Sequence, residues 1–277
     1  MHMLEINMVN AGYGRTQIVT EADFQVEDGK ITSIIGPNGC GKSTLLKTIE
    51  GHLDLMGGSI TIDGRMLNDY TPKNLAQKLG CLNQTNVSPS DMTVERLVRY
   101  GRVPYHRFGL PTDPEKDNQA VELAMESTGI LPYRNRLLTS LSGGERQKVW
   151  IALALAQEPK YLLLDEPTTY LDICHQLEVL ELLRHLNREH GITIIMVIHD
   201  LNQAVEYSDR IVMMKKGRVM AVGNPEEVIC PDSLREVFSL QCEIIHDSRK
   251  KMIIVPTGFA DNNFMSYLED NNHGSAD

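Results

Sequence analysis

Residues 36–44 read Gly36-Pro37-Asn38-Gly39-Cys40-Gly41-Lys42-Ser43-Thr44, a full match to the spacing G-x-x-x-x-G-K-[ST]. Residues 30–35 before this stretch read as a buried strand. Leu45, Leu46 and Ile49 after it suit a helix. A strand, a glycine loop and a helix in that order confine the chain to an α/β phosphate-binding fold. The glycines let backbone N–H groups wrap closely around phosphate oxygens. Lys42 is expected to reach the β- and γ-phosphates of a nucleotide, and the Ser43 hydroxyl to ligate Mg²⁺.

A second stretch supplies carboxylates. Tyr161-Leu162-Leu163-Leu164-Asp165-Glu166-Pro167 begins with four apolar-leaning residues, which indicates a strand buried on both faces. Two carboxylates at its end cannot be buried unpaired. Asp165 fits the Mg²⁺ site, through water. Glu166 fits a general base that orients and activates an attacking water.

The third stretch is Leu141-Ser142-Gly143-Gly144-Glu145-Arg146-Gln147. Two glycines follow a serine at the start of an apolar helix, residues 149–156. That arrangement presents N–H groups, a hydroxyl and a positive helix end to an anion. Placed between the phosphate loop and the acidic strand end, it resembles the signature of the ATP-binding cassette (ABC) family. In that family one chain's signature closes over ATP held by another chain. Further signals fall where the family would put them. Tyr13 matches the early aromatic that stacks on adenine. Gln84 matches the glutamine that senses Mg²⁺ and the attacking water. His199 matches the histidine that contacts the γ-phosphate. Leu171-Asp172 matches the loop that crosses the dimer interface. The resemblance covers roughly residues 3–240. It implies ATP contacts from Tyr13, from Gly36, Pro37, Asn38, Gly39, Cys40, Gly41, Lys42, Ser43 and Thr44, and from Ser142, Gly143, Gly144, Glu145 and Asp172. It further implies catalytic roles for Glu166, His199 and Gln84, and Mg²⁺ held by Ser43, Gln84 and Asp165.

The fold class implied is an α/β phosphate-loop ABC cassette with a RecA-like core, a small antiparallel β-subdomain and a helical subdomain. Leu4, Ile6 and Met8 alternate with polar residues and read as a half-buried strand. Further strands are expected at residues 23–26, 30–35 and 59–62, with Asp28-Gly29 and Asp63-Gly64 as hairpin turns. Residues 86–158 read as the helical subdomain, with helices at 93–100 and 114–128. Buried parallel strands return at 161–164 and 192–198, joined by a helix over about 174–189. A hairpin is expected at 210–222 and a short helix at 231–238. The ABC domain is thus expected over residues 1–240. Residues 241–277 form a C-terminal extension in which 252–255 could add an edge strand. The tail from Asn262 is polar and is expected to fray.

Composition closes off other readings. The net charge of −10 argues against a nucleic-acid partner, whose phosphates call for a basic patch. The longest apolar runs, 149–156 and 192–198, fall short of the roughly 18 residues needed to span a bilayer. The N-terminus lacks a basic region followed by an apolar stretch, so no signal peptide is expected. A membrane role therefore calls for a separate subunit with the spans. Five scattered cysteines with no C-x-x-C pair read as free thiols in a reducing compartment. Cys40, beside Lys42 at a helix start, is expected to favour the thiolate and to be protected by Mg-ATP. His175, His185 and His190 lie near one helix but do not share a ligand-like i, i+4 spacing with an acidic partner, and read as surface residues.

One cassette without a fused membrane domain resembles a bacterial importer subunit. Tyr170 in Thr168-Thr169-Tyr170-Leu171-Asp172-Ile173, and Tyr100-Gly101-Arg102-Val103-Pro104-Tyr105, resemble the branch that imports iron–siderophore complexes, haem, cobalamin and some oxyanions. The implied assembly is an ATP-sandwich homodimer on a polytopic permease, served indirectly by a substrate-binding protein, at the cytoplasmic face of the inner membrane. The alternatives are a cassette of another importer class (zinc or manganese, molybdate, amino acid) and a soluble non-transport ABC ATPase.

Overall fold

The computed structural model describes residues 4–84, 86, 89–107, 109–248 and 251–260. The chain opens with two antiparallel strands, β1 (Leu4–Tyr13) and β2 (Thr16–Val26). β3 (Ile31–Ile35) leads into the phosphate loop and α1 (Lys42–Ile49). β4 (Leu55–Ile62), β5 (Arg65–Met66), α2 (Pro72–Ala76) and β6 (Leu79–Leu82) follow. The helical region comprises α3 (Val94–Arg99), α4 (Pro114–Ser127) and α5 (Gly143–Leu155). Then come β7 (Tyr161–Asp165), α6 (Ile173–His190), β8 (Thr193–Val197), α7 (Leu201–Tyr207), β9 (Arg210–Lys215) and β10 (Arg218–Gly223). The chain continues through α8 (Pro225–Val228), α9 (Pro231–Phe238), β11 (Leu240–His246) and β12 (Met252–Phe259).

The main sheet has the order β10-β9-β3-β8-β7-β6, with β9, β3, β8, β7 and β6 parallel. Every residue of β3, β7 and β8 is buried, as expected of strands covered on both faces. Side chains alternate between two cores. Leu162 and Leu164, Ile194 and Met196, and Ile211 and Met213 join α5 and α6 on one face. Tyr161 and Leu163, Ile195 and Val197, and Val212 and Met214 join α1 and the antiparallel sheet on the other. That second sheet has the order β2-β1-β4-β5. The two sheets and the helical region form the α/β cassette anticipated from the motifs.

Three local readings are corrected. Met8 is exposed and carries φ 48°, because a bulge after Ile6 resets the alternation so that Val9 and Ala11 face the core. Asp28-Gly29 makes no hairpin: β2 and β3 belong to different sheets, and a turn dipeptide does not say which sheet its strands join. Asp63-Gly64 does join paired strands, β4 and β5. Residues 252–255 fall in β12, which pairs with β11 in a separate two-stranded sheet. The tail from Asn262 lies outside the described residues.

The topology brings together the ends of four strands. β3 runs into the phosphate loop, β6 into Gln84, β7 into Asp165 and Glu166, and β8 into His199. These four are parallel neighbours, so their carboxyl ends share one edge, the usual ligand position in open α/β sheets.

Candidate nucleotide site

A cleft of about 730 Å³ opens at that edge, lined among others by Asn38, Gly39, Lys42, Ser43, Gln84, Glu166 and His199. The phosphate loop is built by close approach. At Gly36 an added Cβ would stand 2.3 Å from the Met214 carbonyl oxygen. Gly41 caps α1 with φ 103°, a backbone that side chains rarely adopt. Lys42 is 5% exposed, and its Nζ donates to the Gly36 and Pro37 carbonyls at 2.8 and 3.0 Å. These are neutral acceptors that anionic phosphate oxygens can replace.

The two carboxylates are pushed in opposite directions. Burial raises the Asp165 carboxyl, although it accepts a hydrogen bond from Ser43 Oγ at 3.0 Å. Burial also pushes Glu166 up, but donors from His199 and Thr169 outweigh it and hold the carboxyl below its usual range. Gln84 Nε2 donates to Glu166 Oε2 at 2.7 Å and Thr169 Oγ1 donates to the same oxygen at 2.9 Å. His199 Nε2 pairs with Glu166 Oε1. Glu166 also has φ 53°, the kind of local strain that surrounding structure must hold in place. Carboxylates driven apart in this way suit different tasks. Glu166 is kept ionised and can take a proton; Asp165, raised by burial with the Ser43 hydroxyl beside it, suits a cation.

Mg²⁺ fits this donor set. Ser43 and Asp165 supply hard oxygens side by side, and Asp165 is buried without a full cationic partner. Among the described residues no three His, Cys, Asp or Glu side chains converge as a metal cluster. Such a sparse set matches a cation that takes only one or two protein ligands and completes its shell with phosphate and water.

The signature residues lie outside this cleft. Ser142 and Glu145 form a capping box at the start of α5: Glu145 N–H donates to Ser142 Oγ at 3.2 Å, and Ser142 N–H to Glu145 Oε2 at 2.8 Å. That backbone donor holds the Glu145 carboxyl low. A Cβ on Gly144 would meet the His175 ring at 2.1 Å, so the glycine lets α6 start against this turn. Asp172 caps α6 through His175 N–H at 2.9 Å. It also pairs with His175 Nδ1 at 2.8 Å. Tyr170 and Ile173 are 91% and 75% exposed, an apolar pair of the kind that marks an interaction surface.

Two further residues of the nucleotide-binding pattern are placed as follows. Tyr13 ends β1 and is half exposed; it is not among the cleft-lining residues, whereas Ile18 of β2 is. Cys40 is buried against the antiparallel sheet, and burial raises its thiol despite nearby Lys42. The expected thiolate is thereby corrected: the helix start and the lysine are present, but desolvation prevails. Thr169 and Ile18 carry no motif of their own, and only the hydroxyl three residues after Glu166 could have hinted at Thr169.

Residues 19–169 match the sequence profile of a family described as ABC transporter. The chain is 45% identical to the iron(3+)-hydroxamate import ATP-binding protein FhuC of Bacillus subtilis (strain 168) over 90% of this chain and 92% of that one. It is 42% identical to the ferric enterobactin transport ATP-binding protein FepC of Escherichia coli (strain K12) over 89% and 91%. Among solved structures, it resembles a protein described as a metal-chelate type ABC transporter in an inward-facing conformation, with TM-score 0.80 and 27% identity over 93% and 98% of the two chains. It also resembles a dimeric bacterial ABC transporter cassette, with TM-score 0.69 and 28% identity over 80% and 99%.

Proposed function

The chain belongs to the ABC transporter family, and we propose that it is the ATP-hydrolysing subunit powering uptake of an iron–siderophore or related metal chelate through a separate membrane permease. The observation that carries the cargo reading is its 45% and 42% identity, over about nine tenths of each chain, to ATP-binding proteins for iron(3+)-hydroxamate and ferric enterobactin. Among the described residues no helix is long and apolar enough to cross a membrane. In this reading the permease is a separate chain, and this subunit sits on the cytoplasmic face of the membrane.

In this reading the amides of residues 36–44 and Lys42 hold the phosphates, and Tyr13, exposed at the end of β1 outside the cleft lining, would stack on an adenine that projects beyond the cleft. Ser43 and Asp165, with Gln84, would hold Mg²⁺, which supplies charge neutralisation at the β- and γ-phosphates. His199 leaves Glu166 for the γ-phosphate. Glu166 then takes a proton from water as the water oxygen bonds to the γ-phosphorus, and the bond to the bridging oxygen of ADP breaks. A second copy completes the site with Ser142, Gly143, Gly144 and Glu145, and Asp172 lies at the contact. ATP thus joins two acidic chains, and its hydrolysis lets them part, a two-state element biased by a ligand.

Affinity purification of the tagged chain from mildly solubilised membranes tests the assignment. A polytopic membrane protein is expected to co-purify in stoichiometric amount, and adding the cognate ferric chelate with its binding protein is expected to raise ATPase activity. A chain recovered alone from membranes would contradict a transport role.

A further inference from the structure

Thr169 touches Glu166 twice. Its Oγ1 donates to Glu166 Oε2 at 2.9 Å, and its N–H donates to the Glu166 carbonyl at 3.2 Å. It lines the nucleotide cleft, and its neighbours in the turn are unusual. Glu166 and Tyr170 are both non-glycine residues with positive φ, 53° and 65°. A turn bracketed by two such residues needs internal bonds to hold its shape.

The other donors to Glu166 come from further away. Gln84 follows β6 and His199 follows β8. In the reading above both turn to the nucleotide, its Mg²⁺ and the water during turnover. Thr169 stands three residues from Glu166 within one turn and has no such second task. We propose that Thr169 is a positioning residue. Its hydroxyl fixes the Glu166 carboxylate toward the attacking water when Gln84 and His199 are engaged elsewhere. The proposal rests on Glu166 being the base.

The geometry sets the size of the effect. Without the hydroxyl, Glu166 keeps its backbone but loses the local restraint on its side chain. Misplacing a reacting group by about 1 Å can cost roughly 100-fold. Binding of ATP, which depends on the phosphate loop, is left alone.

The test uses the full chain in single-turnover hydrolysis of Mg-ATP, with the variants T169V, T169S and T169A, each alone and T169V also with E166Q. T169V keeps the branched shape and removes the hydroxyl; T169A also removes the hydroxyl, should valine not fold. The hydrolysis rate is expected to fall roughly 10- to 100-fold in T169V and T169A, with half-saturating ATP changed by less than about twofold. T169S is expected to restore most of the rate. In the E166Q background T169V is expected to cost nothing more, since it acts through the carboxylate. Near-normal hydrolysis in T169V, serine as damaging as valine, or a further tenfold loss in the double variant would each overturn the proposal. E166Q retaining near-normal hydrolysis would instead remove the base assignment on which it stands.

Discussion

Two carboxylate clusters in this molecule look alike on paper and differ in what surrounds them. Glu166 is ringed by Gln84, Thr169 and His199 at the edge of the nucleotide cleft. Asp117 of α4 is ringed by Arg102 and His106 inside the helical region: Arg102 Nε donates at 2.9 Å and His106 Nε2 lies at 3.0 Å. Arg102 is 1% exposed, also bonds the Ala156 carbonyl at 2.7 Å and Glu158 at 2.8 Å, and stacks on the Tyr105 ring. The guanidinium fork meets several acceptors at once, with its charge matched by carboxylates. That network ties the turn after α3 to α4 and to the end of α5. The cluster at Glu166 differs in where its donors come from. Two of them, Gln84 and His199, arise from separate strand ends that border open space, so they can exchange for a substrate. Counting donors around a carboxylate does not identify a catalytic group; whether the donors can leave does.

The contrast sets the sizes of the expected effects. Glu166→Gln removes basicity and keeps shape, so steady-state turnover is expected to fall about 10²–10⁴-fold, with an ATP-bound dimer accumulating on size-exclusion chromatography. Near-normal turnover would erase the distinction. Arg102→Met leaves Asp117 buried without its main cation. Chemical denaturation is expected to show about 3–5 kcal/mol lost, with turnover per folded molecule within about twofold of the parent. Unchanged stability would mean that the network is not structural.

Glu50, a third buried carboxylate, has too few donors for either role. Burial pushes its carboxyl from an ordinary 4.5 to about 7, with His52 pulling the other way, and its Oε1 has no partner. The folded chain then keeps a proton that the unfolded chain gives up near the ordinary value. Stability attributable to this group is present at low pH and is lost as pH rises from 4.5 to about 7. Glu50→Gln is therefore expected to be about 1–3 kcal/mol more stable than the parent at pH 8 and nearly equal to it at pH 4.5. A gap that does not change with pH would contradict this. The smallest effect is expected at Cys40. Its buried, raised thiol should react slowly with maleimide both with and without Mg-ATP, well behind the exposed Cys174. Fast labelling of Cys40 that Mg-ATP suppresses would restore the reactive thiolate.

Much of this site could be read from the sequence because its parts carry local signals. Continuous apolar runs marked β7 and β8, and the glycine spacing marked the loop before α1. The turns were legible at Asp63-Gly64 and in the hairpin at 210–222, where the flanking strands pair with each other. What the sequence hid is tertiary. Arg102 is a charged residue that gives no hint of being buried. The bulge at Met8 depends on its pairing with β4 around Gly58, where an added Cβ would stand 2.3 Å from the Met8 carbonyl oxygen. The sign of the Cys40 shift depends on how deeply the antiparallel sheet covers it. Thr169 acts through one hydroxyl, and hydroxyls near a turn are common.

The central claim is that the cleft is half a site and that a second copy brings Ser142 and Gly144 to it. A phosphate-loop variant, Lys42→Ala, and a signature variant, Ser142→Arg, are each expected to be inactive alone. Differently tagged forms, co-expressed and purified as mixed dimers through both tags, hold one intact composite site. In single-turnover hydrolysis those mixed dimers are expected to regain activity that neither parent shows, approaching half of the sites. Mixed dimers that bind Mg-ATP yet hydrolyse none of it would contradict the account and place the working site within one chain.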